Sequence, residues 1–209
     1  MRISISVFWL SVMCVFLLVS AARGQPDRQS SSGTSKDSEI PDGFERQALE
    51  LGGEILKPIG WRYESREVGK TIVTKMWEPL ANEEYAYETG FTIDIVTNTA
   101  EAGKRPSEYA VSYLDKLKKT GEVVKVYKPK ETNGMIVSGI LLDQKMTMAD
   151  SEKKYRIRTV LSAHDDSELL FVITFGTLVT SWDKYEPTFS VMTKNLKVID
   201  LSKKPKSDQ

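Results

Sequence analysis

The side chains best suited to chemistry gather in one short stretch, His164-Asp165-Asp166-Ser167-Glu168. Histidine, aspartate and serine are the members of a nucleophilic triad, which is recognised by geometry and not by chain order. The same carboxylates are oxygen ligands of the kind calcium takes. Both readings fail on spacing. No G-x-S-x-G elbow presents a nucleophile, and the EF-hand ligand spacing with its central glycine is absent. A hairpin turn whose Asp and Ser bond the local backbone accounts for the composition. Zinc sites built from Cys and His have nothing to draw on, since the chain holds one histidine and one cysteine, Cys14. Neither a G-x-G-x-x-G nor a G-x-x-x-x-G-K-[ST] phosphate loop occurs. The expectation is of no catalytic residue, no cofactor, no metal and no enzyme.

Binding chemistry has more to work with. Lys153, Lys154, Arg156 and Arg158 crowd into one segment. If it is a strand, alternation places Arg156 and Arg158 opposite Tyr155, Ile157 and Leu161. The four cations form a candidate strip for an acidic partner; a solvated, ion-paired face is the competing reading. Trp61, Trp77 and Trp182 could line a pocket for an apolar ligand between sheet and helix, or fill a core. The charge balance, 29 basic against 29 acidic side chains, is not that of a nucleic-acid binder, which concentrates positive charge against phosphates.

These residues need elements to position them. Segments 71–77, 90–96, 122–128, 134–142, 154–163 and 168–175 are rich in β-branched and aromatic residues and bounded by turn formers, which predicts strands; 61–64 adds a shorter one. In 90–96, Phe91, Ile93 and Ile95 share one face while Thr92 and Asp94 face water. Segments 134–142 and 168–175 are apolar on both sides, so both their faces must be covered. Helices are predicted to supply that cover. One opens at Pro106, carries Tyr109, Tyr113 and Leu117 with Ala110 and Leu114 as an apolar stripe, and stops at Gly121. The second spans about 181–195, with Trp182, Tyr185, Phe189, Met192 and Leu196 on one face and Pro187 as a bend or restart. Residues 43–56 are a third covering element, helix or strand, interrupted by Gly52-Gly53. Short turns imply antiparallel pairing, most clearly where His164–Ser167 joins 154–163 to 168–175. The fold class is therefore α+β: a single antiparallel sheet of about six or seven strands with helices on both faces.

The ends read differently. Met1-Arg2, an uncharged run from Ile3 to Ser20 and Ala22-Arg23-Gly24 make a secretory signal peptide over 1–24. Cleavage falls before Gln25 or after Ala22, and an uncleaved anchor is the alternative, since spanning takes about 20 apolar residues. Cleavage removes Cys14, Arg2 and Arg23, leaving 27 basic against 29 acidic groups. Residues 25–41 are a polar, serine-rich linker without the surface to offset its ordering entropy. The globular domain occupies 42–200, and 201–209 is a polar tail. The expected location is secreted or periplasmic.

The quoted patterns also resemble a known family. ILKPIGW (55–61), PSEYA opening the first helix (106–110), LLFVITF (169–175), WDKYEPTF (182–189) and NLKV (195–198) are similar to motifs of the PsbP-like superfamily. That group holds the extrinsic photosystem II protein, Mog-type Ran-binding factors and exported bacterial proteins. The resemblance runs over about 43–200 and rests on core and turn residues, so it implies the fold. The function expected is an exported, non-enzymatic binding or accessory module whose partner is an extracytoplasmic protein with an acidic surface. The alternative is a carrier holding a small apolar ligand between sheet and helix.

Overall fold

A computed structural model describes residues 40–50, 52–80, 88–97, 99, 103–148 and 151–198. The signal peptide, most of the linker and the tail lie outside the described residues.

The chain begins with two strands, β1 (Phe44–Ala48) and β2 (Gly53–Pro58). Of the segment 43–56, residues 44–48 and 53–56 are thus strand, although Glu45, Arg46, Gln47, Ala48 and Leu49 favour helix by propensity. Gly52 and Gly53 explain the outcome: both have positive φ, 83° and 94°, and form the turn that folds β1 back on β2. A Cβ on Gly53 would also meet the Lys197 carbonyl oxygen at 2.2 Å. That carbonyl belongs to β10 (Lys197–Val198), which completes a small sheet of order β1-β2-β10. The single sheet expected from sequence is corrected on this point: the described residues form two.

The larger sheet holds β3 (Arg62–Val68), β4 (Thr71–Trp77), β5 (Gly90–Val96), β6 (Glu122–Thr132), β7 (Met135–Met148), β8 (Ser151–His164) and β9 (Leu169–Leu178). Its order is β3-β4-β5-β9-β8-β7-β6, and every pairing is antiparallel. The α+β class stands. β9, apolar on both sides, is the middle strand. Leu169, Phe171 and Phe175 enter one core cluster, while Leu170 and Val172 enter the other. The first cluster includes Trp182, Phe189 and Met192 of α2 (Trp182–Lys194), together with Ile55 of β2. The second includes Ala110, Leu114 and Leu117 of α1 (Pro106–Leu117). Phe91, Phe175 and Phe189 are fully buried, and full burial of such a side chain stabilises by about 1.5–3 kcal/mol.

Two helix features differ from expectation. α2 runs unbroken through Pro187, so there is no restart. α1 ends at Leu117 with Lys118 as its cap in right-handed conformation. Gly121 serves close packing instead of capping, because a Cβ there would lie 2.5 Å from the Asp143 carbonyl oxygen.

Candidate functional site

His164 sits at the end of β8, and its Nδ1 accepts the Ser167 N–H at 3.1 Å, with Ser167 Oγ at 2.6 Å. Asp165 turns away from it. Its carboxylate accepts Ser107 N–H at 2.8 Å and Ser107 Oγ–H at 2.7 Å, tying the turn to the start of α1. A carboxylate there satisfies an orphan helix donor and meets the positive end of the dipole. His164 and Ser167 therefore meet, while Asp165 is bonded to Ser107 and not to the ring. Among the described residues no group of three or more His, Cys, Asp or Glu could hold a metal.

The four cations read as one strip are divided by the pleat of β8. Lys154, Arg156 and Arg158 share the face of α2, while Lys153 alternates to the face of Tyr155 and Ile157. Each has a carboxylate partner. Lys153 pairs with Glu88. Lys154 reaches Glu122 at 3.0 Å and Asp143 at 3.5 Å. Arg156 grips buried Asp143 with two bonds of 2.8 and 3.0 Å, and its guanidinium lies 5.8 Å from the Trp182 ring. Arg156 holds the Asp143 carboxyl below the usual range; burial opposes it. Arg158 is the least committed. It lies between Tyr127 at 5.1 Å and Phe189 at 5.2 Å, with Glu186 at 3.8 Å and its Nε buried without a hydrogen-bond partner.

Among the described residues, a group of cations without a carboxylate partner lies next door. β6 is an edge strand exposed along its length except at Tyr127, which is half-buried. Lys125, Lys128 and Lys130 on it, and Lys116 and Lys119 at the end of α1, make no salt bridge. Val123, Val124 and Val126 on the same strand are 40, 45 and 44% exposed, and Val111 on α1 is 54% exposed. From sequence alone, 122–128 reads only as a strand. The available signal was the run V-V-K-V-Y-K-P-K, apolar and basic at consecutive positions.

A second feature was also missed. Asp94, expected to face water, lies in register with Val73 and Val172 near Lys75, which is 8% exposed. Burial pushes the Asp94 carboxyl up to about 6, with attraction to Lys75 opposing, and its Oδ1 is buried without a hydrogen-bond partner. Tyr113 of α1 is raised to about 12, first by burial and then by Asp94 and Tyr109.

The three tryptophans are core. Trp61, Trp77 and Trp182 are 8, 7 and 9% exposed. Phe175 stacks on Phe189 at 4.6 Å and tilts against Trp182 at 5.5 Å, filling the space between sheet and α2 where a carrier would hold its ligand. An open depression of about 260 Å³ beside the start of α1 is lined by polar groups including Lys104, Arg105, Glu108 and Asp165.

No protein-family model and no curated protein matches this chain. Among solved structures it is similar to PA94, a Pseudomonas aeruginosa protein of unknown function, at 17% identity and a TM-score of 0.41 over 75% of this chain and 97% of that one. It is also similar to cyanobacterial PsbP from Synechocystis, at 10% identity and 0.45, over 80% and 98%. The yeast Ran-binding protein Mog1p is similar at 13% identity and 0.45, over 76% and 97%. The α+β class rests on the sheets and helices themselves. Among the described residues no helix is long and apolar enough to cross a membrane.

Proposed function

We propose that this chain is an exported, non-enzymatic accessory protein of PsbP-like fold that binds an acidic surface of another extracytoplasmic protein. One observation carries the reading: the cations of β8 are matched by carboxylates, whereas Lys116, Lys119, Lys125, Lys128 and Lys130 are not. Unmatched charge of one sign raises the local concentration of an opposite partner and speeds encounter. Of the four cations singled out in the sequence, Arg158 adds to this surface, because it abuts Tyr127 of β6.

Recovery of partners from an envelope extract tests the reading. Recovery should fall as salt rises, since the Debye length shrinks from about 10 Å at 0.1 M to about 3 Å at 1 M. Lys125→Glu with Lys128→Glu and Lys130→Glu should abolish it. Recovery indifferent to both would refute an electrostatic partner. Intact-mass measurement tests export: a chain beginning at Gln25 or Arg23 supports it, and one retaining Met1 does not.

A further inference from the structure

We infer that the groove between α1 and edge strand β6 is a docking site for an extended, acidic protein segment that places apolar side chains against Val111, Val123 and Val126. The inference rests on the acidic-partner reading above and adds where and how the partner sits.

The groove follows from register and helix geometry. Val123 and Val126 pair with Leu142 and Ile140, which belong to the core cluster beneath α1. They therefore lie on the face that α1 covers. α1, however, packs over β7, β8 and β9 and stops short of the edge. Tyr109 and Tyr113 stand on the side of the helix nearer Asp94 of β5. At about 100° per residue, Val111 and Lys118 fall on the opposite side, towards β6. One helix wall and one strand wall thus leave a trough floored by the rim of the sheet. Four of the seven large hydrophobic side chains exposed among the described residues lie here: Val111, Val123, Val124 and Val126. Apolar side chains gathered in this way mark an interaction site more often than scattered ones do.

Charge identifies the occupant. Lys118 and Lys119 end α1 only a few residues before Val123, and Lys128 follows Val126 on the strand, while Lys125 stands with Tyr127 on the other face of the sheet. Of these, only Lys118 has a carboxylate, Asp115 at 2.9 Å. A segment with carboxylates along its margins and apolar residues between them complements this rim. Surfaces that lie on membranes present Trp, Phe or Leu to the bilayer, and this trough presents only valine. Main-chain pairing along β6 is also blocked. Pro129 lacks an N–H, and the register breaks at Val123/Lys125 and Tyr127/Lys130 interrupt the edge. Recognition is by side chains.

The test uses the purified protein and a fluorescent synthetic peptide of about ten residues alternating Glu with Val and Ser, with a Lys-for-Glu peptide as control. The acidic peptide should bind saturably, and more weakly as salt rises. It should shift the methyl resonances of Val111, Val123 and Val126, while the basic peptide should not bind. Val123→Thr with Val126→Thr keeps the β-branched shape and should weaken binding about tenfold. Val111→Ser should do the same from the helix wall, with thermal midpoints checking that each variant folds. Shifts confined to β8 and α2, or Thr variants that bind as well as the parent, would overturn the groove while leaving the acidic-partner reading standing. Binding to vesicles of phosphatidylcholine with one-third phosphatidylglycerol in place of the peptide would overturn it in favour of a lipid surface. Failure of the underlying reading shows separately, as partner recovery that survives the triple lysine reversal.

Discussion

The two edges of the seven-stranded sheet are built on opposite principles. β3 pairs with β4 in unbroken register from Arg62↔Trp77 to Val68↔Thr71. Its charges alternate in sign along Arg62, Glu64, Arg66 and Glu67, and Ser65 shares a hydroxyl hydrogen bond with Thr74 at 3.1 Å. β6 is twice broken in register, carries Pro129, and shows lysines of one sign among exposed valines. Both devices protect an edge from pairing with another chain. Only the second leaves uncompensated charge beside apolar surface. The comparison teaches that an edge can be guarded by side chains that pair with one another or by register breaks and like charges that stay exposed. Next to β3 lies the buried Lys75 of β4, with Asp94 of β5 near it, whereas next to β6 the buried Asp143 of β7 is bonded by Arg156 of β8.

This contrast can be broken in several places. The largest effect is expected at Trp182, which packs on Phe175 and lies beside Arg156. Trp182→Ala should cost about 3–5 kcal/mol out of a total of about 5–15, read as a large drop in the denaturation midpoint. A small drop would show that α2 is not anchored there.

Arg156→Glu comes next. It removes the bidentate partner of Asp143, whose side chain is 6% exposed, and adds a like charge beside it. Breaking such a pair from one side costs about 3 kcal/mol or more. Chemical denaturation should show this variant far below Lys154→Glu, whose parent side chain is 45% exposed. Equal midpoints would make the ladder on β8 a surface feature after all.

The buried half of the sheet should announce itself in pH. The folded Asp94 carboxyl stands at about 6, above its ordinary value of 3.8. Its contribution to stability is therefore fully present below about pH 3.8 and is lost as pH rises through about 6. At about 1.36 kcal/mol per unit, the loss is at most about 3 kcal/mol. Asp143 has the opposite sign: held low by Arg156, it stabilises above the carboxylate range and stops doing so on acidification. The difference between the parent and Asp94→Asn isolates what Asp94 contributes. Stability curves that run parallel from pH 4 to pH 7 would show that Asp94 is solvated.

The smallest effect belongs to the open edge. Lys125→Glu should leave stability within about 0.5 kcal/mol of the parent, as for surface substitutions away from packed or paired groups. A midpoint change comparable with that of Arg156→Glu would mean that β6 is as interlocked as β8.

Much of the fold was legible beforehand, and the reasons are local. Period-two alternation of apolar residues marks β5 and β9, and a stripe after Pro106 marks α1, because these patterns report which face each element buries. The candidate site was legible only in part. Alternation sets Arg156 and Arg158 opposite Tyr155 and Ile157, as observed, but the pairing of Lys154, Arg156 and Arg158 with Glu122, Asp143 and Glu186 joins residues up to 32 apart in the chain. Such pairs have no signature in a single sequence. The exposed valines of β6 were hidden for the complementary reason. They have the same composition as a buried strand, and only the strand order makes β6 an edge.

The sequence by itself determined the α+β class, the two helices, the β8–β9 hairpin and the lack of a recognised catalytic or zinc motif, since these depend on residue type and near-neighbour spacing. Tertiary structure decided the rest. It split the strands into two sheets, settled β1 and β2 as a hairpin where the sequence leaves both helix and strand open, sent Asp165 to Ser107, and set Asp94 beside Lys75. Each of these outcomes depends on what lies across the fold. Burial and pairing are properties of neighbours in space, and local preferences of a kilocalorie or less per residue yield to them.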